Sequence, residues 1–225
     1  MNKQALIAQL VDYPYPREVY AEVHAILERE QQSRGKFRQW LEPNVKAEFI
    51  LGEVVVHSPA LEGHNATVMR ISTLLATHCA FTEQGQVRVE KALVETRRND
   101  FEPDVCVWLQ ERAKDFTDDM KYYPAPDLVV EVLSKSTENR DRGIKYQDYL
   151  HEGVTEYWIV DYRSEIVEQY LVGEGYGKER VYQKTVLQKE DTLACSILPG
   201  FSVPVGGLFY ADAFAETLRG LGGAA

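Results

Sequence analysis

The sequence predicts an α/β fold built on a mixed β-sheet flanked by helices, with a helical extension before it and a β-hairpin near its end. Three observations carry this expectation. The run Leu128-Val129-Val130-Glu131-Val132-Leu133 is the most apolar in the chain and reads as a strand covered on both faces. Residues 62–80 instead repeat their apolar positions at helical spacing, with Val68, Ile71, Leu74 and Leu75 on one face. Residues 167–171 and 181–186 alternate like paired strands around Gly173-Glu174-Gly175-Tyr176-Gly177.

In chain order, residues 1–40 form a helical extension, in which Val19, Val23, Ile26 and Leu27 recur among charges. Tyr13-Pro14-Tyr15-Pro16 interrupts it, and Gly35 and Pro43-Asn44 punctuate the approach to a main domain over residues 41–225. Residues 48–59 predict two strands with a tight turn or bulge at Leu51-Gly52, ended by Pro59. Val87-Arg88-Val89-Glu90 alternates as a half-exposed strand, and Asp104-Val105-Cys106-Val107-Trp108-Leu109 reads as a buried one. A charged, mobile-looking loop spans residues 111–123.

Ser134-Lys135-Ser136-Thr137 offers hydroxyls to cap a helix that runs to about His151 and stops at Gly153. Glu156-Tyr157-Trp158-Ile159-Val160-Asp161 is again a strand. Ile197-Leu198-Pro199-Gly200-Phe201 reads as the last strand, before a helix over residues 208–218.

Composition narrows the classes. A chain of 225 residues with 44% apolar and 27% charged side chains has the make-up of an ordinary globular protein. No apolar stretch is long enough to span a membrane, and the first ten residues lack a signal-peptide pattern. Cys79, Cys106 and Cys195 are odd in number and sit in apolar settings, so they read as buried thiols of a cytoplasmic protein. The net charge of −10 counts against a simple nucleic-acid binder, although a metal-dependent nuclease must itself hold several carboxylates.

Glu131 demands a chemical account. A carboxylate between Val and Leu in a central strand costs several kcal/mol to bury alone, so a metal ion, a basic partner or an open strand end must offset it. Asp104 begins the preceding buried strand, where adjacency would bring the two carboxylates to one cation. Mg²⁺ takes one or two carboxylates plus water and phosphate oxygens, which fits such a pair; an Arg or Lys partner at a sheet end fits it too.

The segments Ala47-Glu48-Phe49-Ile50-Leu51-Gly52-Glu53, Glu102-Pro103-Asp104-Val105, Pro126-Asp127-Leu128-Val129-Val130-Glu131-Val132-Leu133-Ser134, Asp141-Arg142-Gly143-Ile144-Lys145-Tyr146 and Glu156-Tyr157-Trp158-Ile159-Val160-Asp161 occur in a family's order. Over residues 37–201 the chain resembles the Uma-type restriction endonuclease family of the PD-(D/E)XK nuclease superfamily. The resemblance implies a restriction-endonuclease-like core and a Mg²⁺- or Mn²⁺-dependent endonuclease acting on nucleic acid, preferentially DNA; the oligomeric state is open, although a homodimer would suit cutting both strands. It implies Asp104, Glu131 and the Val132 carbonyl as metal ligands.

Leu133 stands where the superfamily has its lysine, so the resemblance points to Lys145 as catalytic, with Lys135 as the rival. Glu48 and Glu53 are expected as accessory carboxylates, and His64, Lys135 and Arg142 as substrate contacts. The basic group Lys135, Arg140, Arg142 and Lys145 could neutralise phosphates, or form a solvated helix face. The acidic balance and the gap at Leu133 keep a second expectation open, a non-catalytic binding or regulatory protein on a nuclease scaffold.

Overall fold

The computed structural model describes residues 3–175 and 179–223. Two helices open the chain, α1 (Lys3–Val11) and α2 (Pro16–Trp40). Pro16 sits in the first turn of α2, where a missing N–H costs nothing. Gly35 does not end α2, contrary to expectation, because tertiary anchors on either side hold the helix through it. Phe37 packs on Phe49 with ring centroids 5.8 Å apart, and the Arg34 guanidinium grips Asp100 through both its Nε and Nη2. The stripe of Val23, Ile26 and Leu27 stays exposed.

A hairpin follows, β1 (Ala47–Ile50) and β2 (Glu53–Val56), in antiparallel register with Glu48 opposite Val55. Leu51 and Gly52 both take positive φ, 49° and 90°, the pattern of a type I′ turn. Next come α3 (Glu62–Thr82), β3 (Gly85–Val89), β4 (Leu93–Glu95), β5 (Asp100–Phe101) and β6 (Val105–Leu109). The charged segment after β6 is pinned rather than loose. It contains α4 (Gln110–Ala113) and β7 (Tyr122–Tyr123), and both Phe116 and Tyr123 pack on the buried Trp108. A sequence dominated by charges hides those two aromatic anchors.

Then β8 (Leu128–Val132) leads through α5 (Glu138–Arg140), a π-helical turn (Asp141–Lys145) and α6 (Tyr146–Glu152) to β9 (Glu156–Asp161). Gly153, at φ 93°, ends α6 as expected. The hairpin β10 (Ile166–Glu174) and β11 (Arg180–Leu187) is present, while Tyr176 and Gly177 of its expected turn lie outside the described residues. The expected last strand is misplaced. Residues 197–201 form a turn between β12 (Thr192–Ala194) and β13 (Ser202–Pro204), which pair with each other. Pro199 and Gly200 (φ 89°) bend that segment, although its Leu198 and Phe201 are buried like strand residues. A 3₁₀ turn (Val205–Leu208) precedes α7 (Ala211–Gly223).

Six strands form the main sheet in the order β11-β10-β9-β8-β6-β3, with β8 and β9 parallel and the other neighbours antiparallel. Five form a second sheet, β2-β1-β5-β4-β7. On one face of the main sheet, α3 buries Ile71, Leu74 and Leu75 against Val130, Val132 and Trp158, beside Leu208. On the other face, Ile50 and Phe101 of the second sheet meet Val129, Leu133 and Ile159. Tyr146, Tyr149, Tyr157, Tyr170 and Tyr182, scattered in sequence, converge there at ring distances of 5.2–6.3 Å. Alternation explains the two faces, since successive side chains of a strand point to opposite sides. The site described next lies where the two sheets and the π-helical turn meet.

Candidate active site

The main-sheet register brings the two leading carboxylates together. Val105 pairs with Val130 in antiparallel β6 and β8, so the next position along sets Asp104 opposite Glu131. Asp104 Oδ2 accepts a 2.8 Å hydrogen bond from the Val132 N–H, which fixes it to the neighbouring strand. Lys46 Nζ lies 3.0 Å from its Oδ1 and His64 Nε2 lies 3.2 Å from its Oδ2. Burial opposes ionisation of Asp104, but the His64 hydrogen bond and the Lys46 charge overcome it and hold the carboxyl well below the usual range.

Glu131, only 4% exposed, meets its expected need for a partner with Lys145. Lys145 Nζ is 2.9 Å from Glu131 Oε1, which also accepts a 2.9 Å hydrogen bond from the Tyr149 hydroxyl. The same ammonium sits 2.8 Å from Glu48 Oε1 and 3.5 Å from Asp141 Oδ1, and faces the Phe101 ring at 5.6 Å. Three carboxylates therefore compete for one buried ammonium. Glu48 ionises most readily, pulled down to about 2 because Lys145 and His57 outweigh the cost of burial. Glu131 is pushed well up by burial, with repulsion from Asp141, Asp104 and Glu48 outlasting the pull of Lys145. Asp141 is raised for similar reasons. Burial lowers the affinity of Lys145 for its proton, yet the three carboxylates raise it well above the ordinary lysine value.

The π-helical turn delivers that lysine. A wider turn inserts an extra residue into the helix, a distortion often found at functional sites. It places both Asp141 and Lys145 in the buried interior, 1% and 2% exposed. Leu133, where the resemblance expects a lysine, is fully buried in an apolar cluster with Tyr149, Tyr157 and Ile159.

These groups open onto a cleft of about 670 Å³, lined by Asp104, Glu131, Val132 and Lys145 on its floor and by Lys46, His57 and His64 on one side. Glu48 lies just beneath, fully buried, and its Oε1 also accepts the Glu102 N–H at 3.0 Å. Glu53 is not with it. The hairpin sets Glu53 opposite Ile50, two residues further toward the exposed turn, so its carboxylate faces solvent away from the cleft. Arg142 is also absent from the cleft, because its guanidinium is held by Glu168 at 2.7 Å and by Glu138. Lys135 reaches the cleft wall but shares no strand face with Glu131, since β8 ends at Val132 and Lys135 is exposed beyond it. Asp127 has a structural job, accepting the Leu109 N–H at 2.8 Å and pairing with Arg112.

Two cleft residues that hold the site's carboxylates were not expected from the sequence. Lys46 reaches Asp104, and His57 Nε2 lies 3.1 Å from Glu48 Oε2. The signal was available in the hairpin. With the turn at Leu51-Gly52, Lys46 falls opposite His57, and alternation puts Lys46, Glu48 and His57 on one face.

A mixed sheet with flanking helices, and acidic side chains at a strand junction beside a buried lysine, are the features of a restriction-endonuclease-like fold. The chain belongs to the Uma2 family, described as "Putative restriction endonuclease", whose model matches residues 34–206. It is similar to an uncharacterised protein of Synechocystis sp., 32% identical over 139 residues, 60% of this chain and 71% of that protein. In structure it is similar to a protein described as a putative nuclease belonging to DUF820 from Anabaena variabilis. The TM-score is 0.65 at 16% identity, over 77% of this chain and 94% of that one. No helix among the described residues is long and apolar enough to cross a membrane.

Proposed function

We propose that the protein is a divalent-metal-dependent endonuclease that hydrolyses phosphodiester bonds of nucleic acid, DNA before RNA. The observation that carries this is the strand register that sets Asp104 opposite Glu131 at the floor of one cleft, with Lys145 Nζ 2.9 Å from Glu131. The donor set suits a hard cation. Asp104, Glu131 and the Val132 carbonyl offer oxygen ligands, and Glu48 and Asp141 add two buried carboxylates beside them. A bound Mg²⁺ or Mn²⁺ would activate water and offset charge on the phosphate.

The chain's own groups divide the remaining work. Lys145 stays an ammonium in this setting and donates toward a water or phosphate oxygen at the floor, while Glu48 and Asp141 fix its position. His64 and Lys46 orient Asp104, and the Val132 N–H ties that carboxylate to β8. A homodimer would place two such clefts on the two strands of a duplex.

One observation favours a non-catalytic binding protein on this scaffold. Leu133 stands where the resemblance expects the lysine, and the lysine expected in its place, Lys145, is 2% exposed and already held by three carboxylates. A cleavage assay with Mg²⁺ or Mn²⁺ on single- and double-stranded DNA and on RNA separates the two. Loss of cleavage in Asp104→Ala, with the fold intact, is the expected result. Wild-type protein that binds these substrates but cuts none of them would move the assignment to the binding protein, and equal cutting by Asp104→Ala would refute the site.

A further inference from the structure

Seven basic side chains line the cleft, and five of them already have carboxylate partners. Lys46 and His64 are held by Asp104, His57 by Glu48, Lys145 by three carboxylates, and Arg163 by Asp161 and Glu138. Lys135 and Arg140 have none among the described residues, although the protein as a whole carries a net charge of −10. Both belong to the segment between β8 and the π-helical turn. Two neighbouring cations without a carboxylate partner in one cleft are available to an anion from outside.

The local geometry narrows what that partner is. Arg140 donates through Nη2 to the Ser136 carbonyl at 3.1 Å, while its Nη1 is buried without any acceptor. A desolvated guanidinium nitrogen with no acceptor is costly, and turning it toward an oxygen bound in the cleft relieves that cost. Ser134 Oγ lies 3.0 Å from Ser136 Oγ and 3.1 Å from Thr137 Oγ1, and all three residues line the cleft. Hydroxyls of this kind can turn a donor outward. The wall formed by residues 134–137 and Arg140 therefore offers ammonium, guanidinium and hydroxyl donors and no carboxylate.

We propose that Lys135 and Arg140, with the Ser136 hydroxyl, form a subsite for a backbone phosphate of the bound strand, next to the phosphate that sits over Asp104 and Glu131. This rests on the nuclease reading for the identity of the ligand. It also reassigns the phosphate-binding side chains, since Arg142 is engaged with Glu168 and His64 with Asp104. The chemistry is that of a phosphodiester, a fixed anion that accepts and never donates.

The test is equilibrium binding of the full chain to fluorescein-labelled oligonucleotides in EDTA, where cleavage is suppressed. The probes are single-stranded DNA, duplex DNA and single-stranded RNA, each titrated at several salt concentrations. Removing one cation that neutralises a phosphate lowers the slope of log K against log salt by about 1. Lys135→Gln and Arg140→Gln should each weaken binding and lower that slope by about 1. Arg163→Gln, which changes the net charge equally but removes a cation already paired, should leave the slope nearly unchanged. Lys135 is exposed, so its variant tests the idea even if Arg140→Gln weakens the fold. An unchanged slope in both variants would overturn the subsite and leave the nuclease reading standing. Failure of the wild type to bind any probe would overturn it as well. Equal cleavage by Asp104→Ala would instead count against the floor of the site alone.

Discussion

Lys145 Nζ lies 2.8 Å from Glu48 Oε1, so a lysine from the π-helical turn is clamped by a carboxylate from the second sheet. This ion pair joins the two sheets at the cleft floor and has an energetic consequence. Removing the ammonium leaves Glu48, Glu131 and Asp141 buried beside one another. Breaking one side of a buried ion pair costs about 3–5 kcal/mol. Lys145→Met should lower the free energy of unfolding in urea by that order. Adding Glu131→Leu should recover part of the loss, because one unpaired carboxylate is gone. A double variant less stable than Lys145→Met would show that the carboxylates do not repel one another as described.

Position 133, where the resemblance expects a lysine, is a poor setting for one. Leu133 is fully buried among tyrosine rings and Ile159, where a lysine would disrupt the packing and strand its own charge. Leu133→Lys should destabilise the protein by about 3–5 kcal/mol, combining disrupted apolar packing with a buried unpaired charge. Thermal unfolding followed by circular dichroism checks this. A melting temperature within error of wild type would mean that the β8 end opens to solvent more easily than its packing indicates.

Much of this arrangement is legible from sequence because strands impose a simple period. The apolar run around Glu131 marks a central strand, and a carboxylate within it announces a partner. Lys46 and His57 flank the same hairpin as Glu48, and pairing its two strands through Leu51-Gly52 would have found them. The π-helical turn has no such signature. Asp141 and Lys145 read as an ordinary helical pair four residues apart, and only the packed structure turns both inward. Residues 197–201 misled for a related reason, since burial of Leu198 and Phe201 looks the same in a turn as in a strand. Arg142 resembled a phosphate ligand because its partner Glu168 comes from a strand 26 residues away.

The long helix α2 is anchored by a small set of side chains, which makes the attachment testable. Arg34, 6% exposed, and the fully buried Asp100 form a two-point hydrogen-bonded pair, and Arg38 adds a second guanidinium at 2.7 Å. Arg34 also donates to the Thr96 and Asn99 carbonyls at 2.8 Å each. Asp100→Ala should cost about 3–5 kcal/mol, since it leaves buried Arg34 without its carboxylate. Arg38→Ala should cost about 1 kcal/mol, because that side chain is part-exposed and Arg34 remains. Hydrogen exchange offers the sharper measurement. Amides around Phe37 should lose protection in Asp100→Ala before those of β8 and β9 do, and uniform loss would mean that α2 is not held separately by this pair.

Glu168 gives a prediction in pH away from the cleft. It is 4% exposed, accepts from Arg142 and from the Tyr170 hydroxyl at 2.5 Å, and pairs with Lys184 at 2.7 Å. Burial opposes its ionisation, but Arg142, Lys184 and Tyr170 outweigh that and bring its pKa down to about 2. An unfolded glutamate titrates near about 4.3, so the folded state binds fewer protons between the two values. The stabilisation is thus fully present above about pH 5 and is lost as pH falls toward about 2. Its size at neutral pH is on the order of 2–3 kcal/mol. Glu168→Gln removes the titrating group and should lower unfolding free energy by that order near pH 7, with the gap to wild type narrowing steadily below about pH 4. Paired urea titrations across this range check it. A gap that stays constant down to about pH 3 would mean that Glu168 supports the fold by packing and neutral hydrogen bonds, and that its charge contributes nothing.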